Sequence, residues 1–228
     1  MSRRLHMAER TRRRETQRGS PLVSTLDSYA RLQKVGRVVL STGEAASAMG
    51  VSMQAAAKLL TRLATSGMVS KVSHGVWQVN RDVPQPAEVA FVLTDPFPSY
   101  ISGWSALFHH GMIEQIPQAV FVSSLGRTRT TSTSIGPFKI HHIHPGVFGG
   151  FEGATGVRCG MATPEKGLFD VVYTLSTQSG VVTLPELELP RNFHHRSLHR
   201  WVARIPTRRL QTLTRKNLEQ IIAGAQAA

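Results

Sequence analysis

Between residues 41 and 79 the order of apolar and polar positions changes period twice, from helical to helical across a glycine and then to strand-like. Glu44 stands three residues after Ser41, the spacing of a capping box, and Ala45, Ala46, Ala48 and Met49 then predict a short helix able to approach a neighbour closely. Gly50 suits the left-handed residue that ends a helix. Val51 can fill the corner, and Ser52 is a second N-cap. Ala56, Leu59, Leu60 and Leu63 recur at helical spacing and predict a buried stripe on a helix from Met53 to Thr65. Gln54, Lys58, Thr61 and Arg62 take the opposite face, and Gly67 ends the helix. Met68, Val69, Val72, Val76, Trp77 and Val79 predict two short strands, with Ser73-His74-Gly75 as the turn. Upstream, Leu22, Leu26, Tyr29, Leu32 and Val35 suit one face of a helix within 22–39.

Helix, glycine corner, helix and hairpin is the layout of a winged helix-turn-helix, expected over residues 21–83. The second helix of such a pair commonly enters the DNA major groove. Its outer face offers an amide at Gln54 and cations at Lys58 and Arg62, with Ser52 and Thr61 beside them. Lys71 and His74 on the hairpin would approach phosphate or the minor groove. The same pattern also suits a plain packing corner whose polar face is merely solvated.

"NRDVPQPAE" follows, and Pro84 and Pro86 are expected to stop regular structure in a linker over 84–98. The remainder, 99–228, mixes element types. Ser99 is placed to cap a buried helix from Tyr100 to His110, closed by Gly111. "QAVFVSS", "FKIHHIH" and "VRCGMA" read as strands. Thr163-Pro164-Glu165 is a helix start, with Leu168, Phe169, Val171, Val172 and Leu175 continuing it. Asn192 is a candidate cap for a helix to about Ile205, and Thr207 for another to the C-terminus. The expected fold class is α+β, an N-terminal winged helix-turn-helix followed by a mixed α/β C-terminal domain.

Charge sharpens this. The 228 residues carry a net charge of +13, and 14 of the 27 Lys/Arg but only 5 of the 14 Asp/Glu lie in residues 1–86. So basic a surface attracts polyanions, and phosphate neutralisation supplies most sequence-independent affinity for DNA. Residues 1–20 read as a disordered basic arm, and Met7 is an alternative start. They lack the apolar core of a secretory signal, and no apolar run is long enough to span a membrane. Cys159 is the sole cysteine, which excludes an intrachain disulfide and fits a reducing, cytoplasmic setting. Beside Val157 and Met161 it reads as a small core residue.

Candidate catalytic sets are thin. His142 and His144 would share a strand face next to His141, and His195 and His199 a helix face, but no carboxylate or cysteine joins either at ligand spacing. Neither a metal nor a cofactor is expected. "GGFEGATGV" lacks the Lys-Ser/Thr of a phosphate loop. Glu165 and Asp170 do not share a helix face, and Ser105 with His109 lacks an orienting partner. From Arg191 to Lys216 there are eight Lys/Arg and no acid. Arg196, Arg200 and Arg204 recur every fourth residue, with Arg208 beyond them. Like charges at that spacing repel, so the stripe suits an anionic partner as well as a solvated face.

"LTRLATSGMVSKVSHGVWQV", "PSYISGWSALFHHGMIEQIPQAVFVSS" and "MATPEKGLFDVVY" together resemble the AbiEi family of antitoxins. The helix with Tyr100, Trp104, Ala106 and Leu107, followed by Gly111 and a strand, is the most specific part. The resemblance implies a transcriptional autorepressor that binds double-stranded DNA repeats in its own promoter. It also implies that the chain counteracts a cognate nucleotidyltransferase-like toxin, with 99–228 as the antitoxin domain. The alternative is a nucleic-acid-processing enzyme whose winged helix delivers a catalytic C-terminal domain.

Overall fold

A computed structural model describes residues 25–153, 159–178, 184 and 187–227, and the expected basic arm and Leu22 lie outside them. The fold is mixed α+β, with eight α-helices and two sheets among the described residues. The first six described elements are α1 (Thr25–Lys34), β1 (Val39–Ser41), α2 (Thr42–Met49), α3 (Met53–Thr65), β2 (Ser70–Ser73) and β3 (Val76–Gln78). The strands form an antiparallel sheet in the order β1-β3-β2.

Local chemistry places these elements. The Ser41 hydroxyl accepts from Glu44 N–H at 3.1 Å, and the Glu44 carboxylate accepts from Ser41 N–H at 2.8 Å, so the capping box is complete. Burial works to raise the Glu44 carboxyl, but the Ser41 hydrogen bonds and the Arg37 guanidinium outweigh it and hold the group below its ordinary value. Gly50 ends α2 at φ 69°. Leu32, Leu40, Met49, Ala56, Leu60, Leu63 and Trp77 close the core between α1, α2, α3 and the sheet. The first helix is shorter than its periodicity predicts. It ends at Lys34, and Val39 instead enters β1, where β3 satisfies its backbone. Leu26, expected on the buried face, is 66% exposed.

Then come α4 (Pro86–Thr94), β4 (Ser99–Ile101), α5 (Gly103–His109), β5 (Val120–Ser124), β6 (Arg129–Thr133), β7 (Gly136–His142), β8 (Phe151–Glu152) and β9 (Gly160–Ala162). A 3₁₀ turn covers Pro145–Val147. The chain continues with α6 (Pro164–Gln178), α7 (His195–Ala203) and α8 (Arg208–Ala227). The six-stranded sheet has the order β6-β7-β5-β4-β9-β8, parallel at β5/β7 and β4/β9. No helix among the described residues is long and apolar enough to cross a membrane.

Two expectations are corrected here. Residues 84–98 are not an irregular linker, because α4 occupies most of them. Pro86 sits in the first turn, where the missing N–H costs nothing, and Gln85 and Glu88 form a capping box. Tyr100 does not begin a helix. Ser99–Ile101 pairs with β5 and β9, and the helix begins only at Gly103, whose φ of 55° turns the chain out of the sheet.

The centre of the large sheet is covered on both faces. Tyr100 meets the layer of α5, α6, α7 and α8 through Leu107, Leu168, Phe169, Leu198 and Leu218. Ile101, Val122, Phe138 and Ile140 point the other way, onto Val89, Ala90 and Val92 of α4 and Val39, Val72 and Val76 of the small sheet. α4 therefore joins both halves in one apolar layer.

Val89→Ala should lower stability by about 1–3 kcal/mol in a single unfolding transition that moves near-ultraviolet and far-ultraviolet signals together. Two separate transitions would show that the halves fold independently. A second expectation concerns pH. The depressed Glu44 contributes stability that is present above its ordinary value of 4.5 and is lost as pH falls through its lower folded value. The stability gap between the wild type and Glu44→Gln should therefore shrink below pH 4.5 in urea titrations.

Candidate nucleic-acid interface

On α3 the buried stripe of Ala56, Leu60 and Leu63 turns Gln54, Lys58, Thr61 and Arg62 to the outside, where all four are exposed. Among the described residues no ion pair or hydrogen bond reaches the side chains of Gln54, Lys58 or Arg62. The helix contains no acid to neutralise the two cations. Ser52 is committed to capping, accepting from Ala55 N–H at 3.2 Å. Thr61 donates to the Ala57 carbonyl at 2.8 Å, so only its lone pairs are open. Met53, which periodicity alone did not single out, is 62% exposed at the same end. A large apolar side chain at the first position of an otherwise polar face was the available signal.

Lys71 and His74 are exposed on the hairpin. The hairpin is pinned from two sides. Thr42 N–H donates to the Gly75 carbonyl at 2.8 Å, and the Trp77 indole donates to the Thr42 hydroxyl at 3.0 Å. On the free edge, Ser134 N–H donates to the Val72 carbonyl at 2.9 Å, and the Ser73 hydroxyl donates to the Ser132 carbonyl at 3.0 Å. The β6–β7 turn thus closes the edge of β2. Beside it the segment 127–134 is basic and rich in hydroxyls, with Arg127, Thr128, Arg129, Thr130, Ser132 and Ser134 exposed. β6 was not among the expected strands; the β-branched Thr130, Thr131 and Thr133 were the available signal, and nothing local marked its place beside the hairpin.

The arginine stripe belongs elsewhere. Arg196, Arg200, Arg204 and Arg208 are all exposed, on helices packed in the layer of α6, α7 and α8. The Arg200 guanidinium donates to the Ser197 hydroxyl at 2.8 Å, and Arg204, at the C-cap of α7, lies 4.6 Å from the Trp201 ring centroid.

The residues considered for catalysis are drawn apart. The Glu165 carboxylate accepts from His194 N–H at 2.8 Å, whereas Asp170 pairs with Lys166 in the core. Ser105 accepts from Phe121 N–H at 2.9 Å and has no bond to His109. The His142 ring faces the Leu125 and Gly126 carbonyls, while His144 accepts from Gly146 N–H at 3.0 Å. Among the described residues no group of three His, Cys, Asp or Glu is placed to hold a metal ion. Burial pushes the Cys159 thiol up to about 11, which keeps it protonated.

One buried polar cluster escaped the sequence reading. Asp170 accepts from Tyr100 OH at 2.9 Å, Ser102 Oγ at 2.5 Å and Ser123 Oγ at 3.3 Å, besides its bond from Lys166. Lys166 is 0% exposed, and its ammonium lies over the rings of Phe169 and Trp201 at 4.7 and 4.8 Å. Burial pushes the Lys166 amine down, and the Asp170 charge opposes that. Gly150 closes this nest. At φ 71° a side chain is strained, and a Cβ would lie 2.6 Å from Trp201. Lysine and aspartate four apart within an apolar helix were the missed signal.

Compared with known families and with curated proteins, the chain matches no family model and no curated sequence.

Lys166→Met should cost about 3–5 kcal/mol, because it leaves Asp170 charged and uncompensated in the core. Urea denaturation measures this, and a loss below about 1 kcal/mol would show that the pair is not coupled.

Proposed function

We propose that residues 25–79 form a winged helix-turn-helix that binds duplex DNA, and that the chain is a cytoplasmic transcriptional autorepressor of the AbiEi antitoxin kind. The observation that carries the DNA reading is the outer face of α3, where Gln54, Lys58 and Arg62 stand exposed with no side-chain partner among the described residues. Unpaired donors on the second helix of a glycine corner suit base edges and phosphates, which such a helix meets in the major groove. The braced hairpin supports the reading, since Lys71 and His74 are held beside α2 rather than free. So does the net charge of +13.

The antitoxin part rests on the resemblance of residues 60–79, 98–124 and 161–173 to that family. It makes a nucleotidyltransferase-like toxin the natural partner, with Arg196, Arg200, Arg204 and Arg208 available to an acidic surface on the toxin or on its RNA substrate.

A mobility-shift assay with duplex from upstream of the chain's own gene tests the first part. The triple variant Gln54→Ala/Lys58→Ala/Arg62→Ala should lose at least about a hundredfold in specific affinity, each base contact being worth about 1–3 kcal/mol. Lys71→Ala should weaken specific and random duplex alike and flatten the salt dependence by about one unit. Unchanged binding by the triple variant would remove α3 as the reading helix. For the second part, co-expression from a foreign promoter should rescue growth from a neighbouring nucleotidyltransferase-like toxin. Failure of rescue would leave a repressor alone.

A further inference from the structure

A cavity of about 220 Å³ opens between the helical face of the large sheet and α6, away from the α3 surface. The parallel register of β5 and β7 sets Phe121 beside Lys139 and Ser123 beside His141, so the four side chains share one sheet face. Trp104 of α5 and Val171 and Leu175 of α6 supply apolar wall. The cavity is graded in polarity. Ser102, Ser123 and Asp170 lie at its buried end, at 1%, 3% and 2% exposure. Lys139 is exposed at the open end, with His141 half-buried behind it.

Each end has unmet chemistry. Among the described residues no hydrogen bond or ion pair reaches the side chain of Lys139 or His141. Lys139 meets only the Phe121 ring, 5.4 Å from its centroid, and His141 stacks on the same ring at 6.1 Å and 9°. Lys139 supplies a cation and His141, whose imidazole is held below its ordinary value by burial and by the Lys139 charge, supplies a ring N–H; with the Asp170 carboxylate of the lining already paired with Lys166, this end suits an anion. At the buried end, Asp170 already accepts three hydrogen bonds at Oδ2 and one, from Lys166, at Oδ1, so it is engaged within the protein. Ser102 and Ser123 spend their protons on Asp170, so what they offer the cavity is lone pairs, which accept from a donor. The volume lies below the roughly 300–1,000 Å³ of sites for drug-sized ligands, which limits the occupant to about one ring. Trp104 and Phe121 favour an aromatic one.

We propose that this cavity binds a small aromatic acid, its carboxylate at Lys139 and His141, its ring against Trp104 and Phe121, and a hydroxyl or amine donor at Ser102 and Ser123. The site is separate from α3 and does not depend on the DNA-binding reading.

Isothermal titration of the full chain, without DNA, tests it. The probes are 4-hydroxybenzoate, benzoate and 4-hydroxybenzyl alcohol. 4-Hydroxybenzoate should bind with a Kd of about 1 mM or tighter. Benzoate, which lacks the donor, and the alcohol, which lacks the anion, should each bind about tenfold more weakly. Lys139→Gln should weaken 4-hydroxybenzoate about tenfold and leave the alcohol unaffected. Because Lys139 is exposed, this variant should keep the wild-type circular dichroism spectrum. No binding of 4-hydroxybenzoate at about 10 mM would overturn the proposal. Equal affinity for Lys139→Gln and wild type, or for acid and alcohol, would overturn it as well.

Discussion

The structure depends on one apolar layer that belongs to neither half of the chain alone. Val39, Val72 and Val76 of the small sheet, Val89, Ala90 and Val92 of α4, and Ile101, Val122, Phe138 and Ile140 of the large sheet bury one another. Fully burying a valine or isoleucine is worth about 1.5–3 kcal/mol, so this layer outweighs any polar contact between the halves. It makes the hairpin's position a property of the whole chain. The hydrogen bonds between Val72 and Ser134 and between Ser73 and Ser132 then set the register at the edge, where a free strand would otherwise expose unpaired backbone.

The opposite face of the large sheet is organised by charge as well as by apolar packing. Asp170 gathers hydroxyls from β4, the β4–α5 corner and β5, and Lys166 neutralises it from one turn away on α6. A buried pair adds little net stability, because desolvation offsets attraction. Its geometry is demanding, however, and it ties α6 to two strands at a fixed height. The cavity lies at the edge of this cluster, where β7 presents an exposed Lys139 and a half-buried His141.

Among the described residues, the exposed cations of α3, the hairpin and β6 lie apart from those of α7. α3 packs on α2, and the β6 strand lies against β2 of the hairpin. The arginines of α7 stand on the helical layer, built on α6 and α8. Charge that the sequence concentrates in residues 1–86 is joined in the fold by a second exposed set on α7. Among the described residues the cations of α3 lack partners, whereas on α7 Arg200 and Arg204 are held by Ser197 and Trp201.

Where the signal was local, the amino-acid sequence was sufficient. The Ser41–Glu44 capping box, the φ 69° glycine at position 50, the Ser52 cap and the start of α6 at Pro164 follow from side chains within four residues of the backbone they satisfy. The outer face of α3 was legible for the same reason, since helical period alone separates Gln54, Lys58 and Arg62 from Leu60 and Leu63. Where partners lie far along the chain, only the tertiary structure decided. Tyr100 and Ile101 have helical neighbours but become a strand because β5 and β9 take up their backbone groups. Pro86 reads as a breaker, yet it opens a helix because Val89 and Ala90 find apolar surface on both sheets. The hydroxyls around Asp170 come from residues 100, 102 and 123, and no spacing within a single element could bring them together.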